Sequence, residues 1–362
     1  MDGRVPEPTA RPRVSRGLVF ALVVVICVLV PTVYAVMAAN RGPARPGIGT
    51  AATPSLSVPS SGDPGASSGT SAEPSGSAVA TPPGGPARLV FQHVARDADY
   101  AKVAVASLDE PNGPRTITGL TCERVHAAAG VGLCLVPEGS LVTRYWAIVF
   151  GSDFVERTRI ELGGSPSRAR VSADGRYGAT TVFVYGHSYA DAAFSTQTTI
   201  IDMASGTTIE ELEQFSATRD GVAIHAPDFN YWGVTFAPDS NTFYATLRTA
   251  GRTYLVRGDI AARAVEVIHE NVECPSLSPD GTRLGFKKLV GGPGEWRFTV
   301  LDLATMEETP LAETESIDDQ LEWVDEDRLA YGKAGSLWAI ASDGSGAPEP
   351  FVSDALSPAV VH

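Results

Sequence analysis

Lysine is nearly absent from this 362-residue chain: of 28 basic residues only Lys102, Lys287, Lys288 and Lys333 are not arginine. Positive charge as a whole is in deficit, since 42 acids leave a formal net charge of −14. A grip on nucleic acid or on an anionic lipid surface needs the opposite sign, which argues against both as partners. No Gly-rich phosphate loop, no zinc-ligand spacing and no contiguous Ca²⁺-binding loop of the EF-hand kind can be found. Long apolar runs are also missing, with one exception near the N-terminus.

That exception runs from Gly17 to Ala39 without a charge. About 20 such residues span a bilayer core, so the run reads as a transmembrane helix, with Pro31 tolerable as a kink. Arg4, Arg11, Arg13 and Arg16 precede it and only Arg41 and Arg45 follow closely, which places residues 1–16 in the cytoplasm and the rest outside. A cleaved signal peptide ending near Ala38 is the rival reading; its apolar core would run about 7–15 residues, shorter than this one. Residues 40–87 are rich in Pro, Gly, Ser, Ala and Thr and cannot bury enough surface to offset ordering, so they are expected to be a disordered tether with a reach of roughly 35–40 Å. The expected localisation is thus a single-pass cell-membrane protein with its folded domain, residues 88–362, extracellular.

Within the folded domain a short pattern recurs: an apolar strand, an acidic turn, another apolar strand. It stands at 169–179, 233–245, 275–286 and 321–331, built on Asp174, Asp239, Asp280 and Asp325. Such turns join hairpins, and their aspartates are expected to accept backbone hydrogen bonds inside the turn. Repetition at a spacing of roughly 40–45 residues marks a propeller blade of four antiparallel strands. Counting outward gives blades at 88–120, 121–164, 165–226, 227–271, 272–314 and 315–355. The first has three strands, and the C-terminal run Ser357 to Val361 is left over. Letting that run complete blade one closes a six-bladed, all-β ring and leaves no unpaired inner edge.

The hairpin Ser278-Pro-Asp-Gly-Thr-Arg-Leu-Gly-Phe286 and its degenerate copies resemble the WD40-like (PD40) repeats of TolB-type β-propellers over about residues 88–362. The resemblance implies the six-bladed fold and an interaction module of the cell envelope. It departs from TolB at the N-terminus, where an anchor and tether stand in place of a small α/β domain.

Cys122 and Cys134 flank a turn around Ala128-Ala-Gly130, which would set them on adjacent antiparallel strands close enough for a disulfide, with Cys274 left free. Blade three is about 20 residues longer than the others, the surplus falling in two loops at 186–196 and 215–230 on one face of the ring. From these loops and the neighbouring strand entrances, His187, Tyr189, Asp191, Asp228, Asn230, Trp232 and Gln320 are the candidate ligand or partner surface, aromatic and polar residues together as in pockets and hot spots. The strand entrances on this face are acidic, so Glu123, Asp228, Glu273, Asp318 and Asp319 around a narrow channel would repel unless paired or bridged; oxygen ligands of this kind suit Ca²⁺. The run Gly186-His-Ser-Tyr-Ala190 is similar to the nucleophile elbow of α/β-hydrolases, which would make Ser188 a nucleophile with a base such as His225, yet the segment after it reads as another antiparallel strand instead of a helix. The sequence therefore points to a monomeric binding or scaffolding module for an envelope protein or small ligand. Its alternative is a propeller hydrolase or lyase.

Overall fold

The computed structural model describes residues 86–139, 142–186, 188–189 and 193–362. The expected tail, membrane span and nearly all of the tether lie outside them. Among the described residues no helix is long and apolar enough to cross a membrane.

Six sheets make up the domain. Blade one is β1 (Arg88–His93), β2 (Lys102–Ser107) and β3 (Thr116–Thr121), completed on the inside by the last strand, β26 (Ala355–Val361). Blade two holds β4 (Arg124–Ala128), β5 (Val131–Glu138), β6 (Arg144–Gly151) and β7 (Glu156–Leu162). Blade three holds β8 (Ser165–Val171), β9 (Tyr177–Tyr185), β10 (Ser195–Asp202) and β11 (Thr207–Glu211). Blade four is a sheet of six: β12 (Ser216–Arg219) and β13 (Val222–Ile224) lie outside β14 (Asn230–Phe236), β15 (Thr242–Thr249), β16 (Arg252–Asp259) and β17 (Ala264–Glu270). Blade five is β18 (Glu273–Leu277), β19 (Arg283–Leu289), β20 (Trp296–Asp302) and β21 (Glu308–Pro310). Blade six is β22 (Glu322–Trp323), β23 (Arg328–Lys333), β24 (Ser336–Ala341) and β25 (Glu349–Val352).

The closure expected from the leftover C-terminal strand is present. β26 runs antiparallel to β1 with Leu89 opposite Val360 and His93 opposite Ala355. Leu89 and Phe91 are fully buried there, so separating the ends would expose apolar surface as well as an unpaired edge. Each acidic turn is closed as its sequence implies: Asp174 accepts from Arg176 N, Asp239 from Asn241 N and Thr242 N, Asp280 from Thr282 N, and Asp325 from Asp327 N and Arg328 N. These aspartates are turn residues.

The blade count needs one correction. The surplus at 215–230 is not a free loop of blade three. Residues 216–224 form a small hairpin, and its β12 pairs parallel to β17, placing Ser216 opposite Ala264 and Arg219 opposite Val267. Apolar burial drives this, because Leu212, Phe215 and Ala217 enter the same core cluster as Phe243 and Val265. The hairpin thus covers the outer edge of blade four.

The disulfide joins Cys122 and Cys134 with Cα atoms 5.4 Å apart. Ala129 and Gly130 turn the chain between β4 and β5, both at positive φ (48° and 79°) as a two-residue hairpin turn requires. Cys274 is a free, buried thiol.

Candidate binding site at the channel mouth

The innermost strands carry arginine where a two-residue alternation turns side chains toward the ring axis. Arg168 and Arg170 stand two apart on β8, and both are buried. Arg170 reaches across the ring. Its Nη1 meets Glu322 and lies 2.9 Å from His126 Nε2, while Nη2 donates to Ser276 Oγ at 3.0 Å and to Leu321 O at 3.2 Å. Glu322 in turn accepts from Val360 N at 3.0 Å. One guanidinium therefore links blades two, three, five and six, and through Glu322 blade one. Burial alone would raise the Glu322 carboxyl, but Arg170 and His126 outweigh it and hold it at about 2. Burial pushes the His126 imidazole down, and its Nδ1 accepts from Val171 N at 3.1 Å.

Nearer the mouth, Lys287 is fully buried with Nζ 2.5 Å from Asp318 Oδ1 and 3.9 Å from Glu273 Oε2. Arg168 Nη2 lies 3.2 Å from the same Asp318 oxygen. Burial would raise Asp318, yet Lys287 and Arg168 prevail and keep its carboxyl below the usual range. Gln320 is buried and donates to Pro275 O at 2.8 Å and Val234 O at 3.3 Å, tying blade six to blades five and four. The space left inside, among Arg124, His126, Arg168, Arg170, Asp319 and Glu322, is about 30 Å³, room for one water.

The five carboxylates expected to hold a cation are accordingly dispersed. Asp318 is bound by Lys287 and Arg168. Glu273 accepts from Trp296 Nε1 at 3.0 Å, and its carboxyl is pushed up by burial against the pull of Lys287. Asp319 accepts from Gly332 N at 2.7 Å. Asp228 is exposed and caps the β15–β16 turn, accepting from Thr249 Oγ1 and Ala250 N, each at 2.7 Å. Glu123 is half-buried beside Arg124. Among the described residues no group of three or more His, Cys, Asp or Glu side chains is placed to hold a metal ion. Counter-charge for Asp318 comes from Lys287 and Arg168 on blades five and three, and for Glu273 from Lys287.

Aromatic residues wall the mouth. Tyr189 stacks on Trp232 with ring centroids 4.9 Å apart, and Phe194 meets both edge-on at 5.4 and 5.3 Å. The Tyr189 hydroxyl shares a 2.6 Å hydrogen bond with Ser167 Oγ. Trp296 takes the Lys287 ammonium over its ring at 4.1 Å. Each such contact contributes about 0.5–1.5 kcal/mol beyond area burial. Backbone irregularity sets these positions. β14 is bulged between Trp232 and Thr235, and β18 between Glu273 and Ser276. Gly233 there has φ +64°, and a Cβ on it would stand 2.5 Å from the Cys274 Cα, so only glycine fits.

Between blades four and five these walls enclose a cleft of about 470 Å³ lined by Tyr189, Phe194, Trp232, Arg248, Glu273 and Trp296 among others. That volume suits a small ligand or a peptide side chain. Of the seven residues expected to form the binding surface, Tyr189 and Trp232 line this cleft. Asn230 does not; its Oδ1 accepts from Thr196 N at 2.8 Å and its Nδ2 donates to Asp228 O at 3.0 Å, pinning blade three to blade four. Gln320 and Asp228 serve the channel and the turn as described, while His187 and Asp191 lie outside the described residues. Phe194, Arg248 and Trp296 were missed, although they sit in or beside loops joining the two middle strands of blades three, four and five, which share one face. Ser188 lies between β9 and β10, which are antiparallel neighbours in one blade, a different setting from the parallel strand–turn–helix of an elbow. His225 is exposed, with its ring 6.2 Å from Phe229.

Neither a protein-family model nor a curated protein matches the chain. Solved structures do. TolB from Acinetobacter baumannii is similar at 15% identity with a TM-score of 0.51, over 76% of this chain and 66% of that one. A putative TolB from Agrobacterium tumefaciens is similar at 10% identity with a TM-score of 0.44, over 73% and 87%. The Nidogen/Laminin complex is similar at 11% identity with a TM-score of 0.49, over 76% and 97%. This chain spans 66% of the length of the Acinetobacter TolB. At such identity the likeness to that TolB establishes a shared propeller fold.

Proposed function

We propose that the protein is a binding or scaffolding module of the cell envelope, carried outside the cell on one N-terminal membrane span and a long tether, and that the cleft between blades four and five is its binding surface. It acts by binding and not by catalysis. The observation that carries the reading is the aromatic-walled cleft itself, the kind of concave, largely apolar surface with a few polar groups that ligands and partner side chains enter. Pairing of the mouth carboxylates with Lys287 and Arg168 favours binding over metal-assisted chemistry. The disulfide supports an oxidising compartment, and the apolar run from Gly17 to Ala39 supports the anchor. A TolB-like fold is consistent with an envelope role.

A photo-crosslinking residue placed at Arg252, which lines the cleft, tests this in cells carrying the full chain. The control position is Thr282, exposed in the turn at the opposite end of blade five. A discrete adduct from position 252 that is absent from 282 supports the reading. The same adducts from both positions, or adducts from 282 alone, would overturn it.

A further inference from the structure

The polar groups of the cleft are unequally satisfied. Glu273 is engaged by Trp296 and Lys287, and Glu270 by Arg219 at 2.5 Å. Asn271 is used at both ends, donating to Leu289 O at 2.9 Å and accepting from Leu289 N at 3.1 Å. Arg248 is different. Its guanidinium lies 4.7 Å over the Phe194 ring, half-buried, and makes no hydrogen bond or ion pair among the described residues. The other described arginines withdrawn from solvent (Arg115, Arg124, Arg168, Arg170, Arg219, Arg283 and Arg297) each donate at least one. In the same wall Trp232 is 1% exposed, and its buried Nε1–H has no acceptor. The Trp232 N–H is sealed from solvent, whereas Arg248 lines the cleft half-exposed, and an idle guanidinium there marks a place for an acceptor brought from outside.

Charge points the same way. Glu270 is matched by Arg219, and Glu273 and Asp318 by Lys287 and Arg168; that leaves in the cleft the exposed Arg252 and Arg248, whose charge reaches Glu273 and Asp228 without an ion pair to either. A guanidinium fork fits a carboxylate in two hydrogen bonds, and the rings around it offer apolar contact to whatever the carboxylate is attached to.

Resting on the binding reading above, we propose that the cleft takes an aromatic or branched apolar group bearing a carboxylate, with the carboxylate on Arg248 and the apolar group among Phe194, Trp232 and Trp296. Two sources present that chemistry: a free aromatic acid, and the last residue of a peptide chain.

The test is titration of the full chain, purified in detergent, with four probes by isothermal calorimetry. N-acetylphenylalanine and N-acetylphenylalanine amide form one pair; a hexapeptide ending in phenylalanine as free acid and as amide form the other. A charge-assisted pair contributes about 1.5–3 kcal/mol, so each acid should bind about tenfold or more tighter than its amide. Arg248→Gln should remove that preference and Arg248→Lys should restore some of it; the acid–amide comparison on the unmodified chain needs no variant to fold. Binding of both acids identifies the free-acid chemistry as sufficient, and binding of the peptide acid alone identifies a chain terminus. Equal affinity of acid and amide, an unchanged preference in Arg248→Gln, or no binding by either acid at about 10 mM would overturn the proposal. An adduct at position 252 alongside such a result would leave the binding module standing and remove only this ligand class.

Discussion

Replacing Arg170 with methionine should cost about 3–5 kcal/mol of folding stability at pH 7, the range for leaving one member of a buried ion pair unpartnered. Arg170 is within reach of Glu322, His126, Ser276 and Leu321 O at once, so its loss strands a carboxylate inside the ring and leaves a hydroxyl and a carbonyl short of a donor. The pH dependence carries the sign. In the intact protein Glu322 has its carboxyl at about 2 against an ordinary 4.5, a stabilisation of about 3 kcal/mol that is present above pH 4.5 and lost as pH falls toward 2. His126, pushed down by burial, adds a loss that begins as pH drops below about 6.5, where the unfolded imidazole takes up a proton. Without Arg170 the Glu322 carboxyl is left to burial, which raises it, so the gap between variant and parent should narrow on acidification from pH 8 to pH 5. Adding Glu322→Gln to Arg170→Met should recover more than half of the cost, because no buried charge remains and a Gln Oε1 can still accept from Val360 N. Urea denaturation followed by tryptophan fluorescence reads all three quantities. A cost under about 1 kcal/mol, or a double variant as unstable as Arg170→Met, would refute the view that this guanidinium fastens the blades together.

Three further outcomes are expected. Glu213, pushed up to about 7 by burial while accepting from Thr198 N and Tyr231 N, should make the protein lose stability as pH rises from 4.5 through 7; Glu213→Gln should flatten that slope and be more stable by about 3 kcal/mol at pH 8, and a parallel slope in the two proteins would contradict it. Cys122→Ser with Cys134→Ser, which opens a loop with a sequence separation of 12, should lower stability by about 3 kcal/mol, and an unchanged unfolding midpoint would show the link to be idle. Millimolar Ca²⁺ should leave the midpoint in place, since Asp318 and Glu273 are already matched by Arg168 and Lys287 and Asp319 and Asp228 are taken up by backbone amides; a saturable rise of several degrees would restore the cation reading.

The architecture could be read from the sequence because propeller turns are local. Asp280 and its three counterparts signal a hairpin within a few residues, and the unmatched run at Ser357–Val361 has one place to go in a closed ring. Cys122 and Cys134 were legible for the same reason, being brought together by a two-residue turn. The channel was not, since its pairs join residues far apart in the chain. Arg168 meets Asp318 across 150 residues and Arg170 meets Glu322 across 152. Counting acids at strand entrances therefore found the negative half of each pair and suggested a cation to balance it. The positive half was visible as Arg168 and Arg170 alternating on one strand and as Lys287 inside an apolar one, but nothing local ties those positions to the acids. Gln320 misled in the same way, because a polar residue at a strand entrance looks identical whether it faces solvent or two carbonyls of neighbouring blades. Arg248 and Trp296 carry no motif; only the shared face of the middle-strand loops could have indicated them.

Fluorine NMR of the full chain carrying fluorotryptophan tests most directly whether the blade four–five cleft is the binding surface. The five tryptophans divide cleanly: Trp232 and Trp296 line the cleft, and Trp146, Trp323 and Trp338 do not. On addition of N-acetylphenylalanine, or of the partner captured from position 252, the Trp232 and Trp296 resonances should move and the other three should stay. Movement confined to Trp146, Trp323 or Trp338 would place binding elsewhere on the ring and contradict the account.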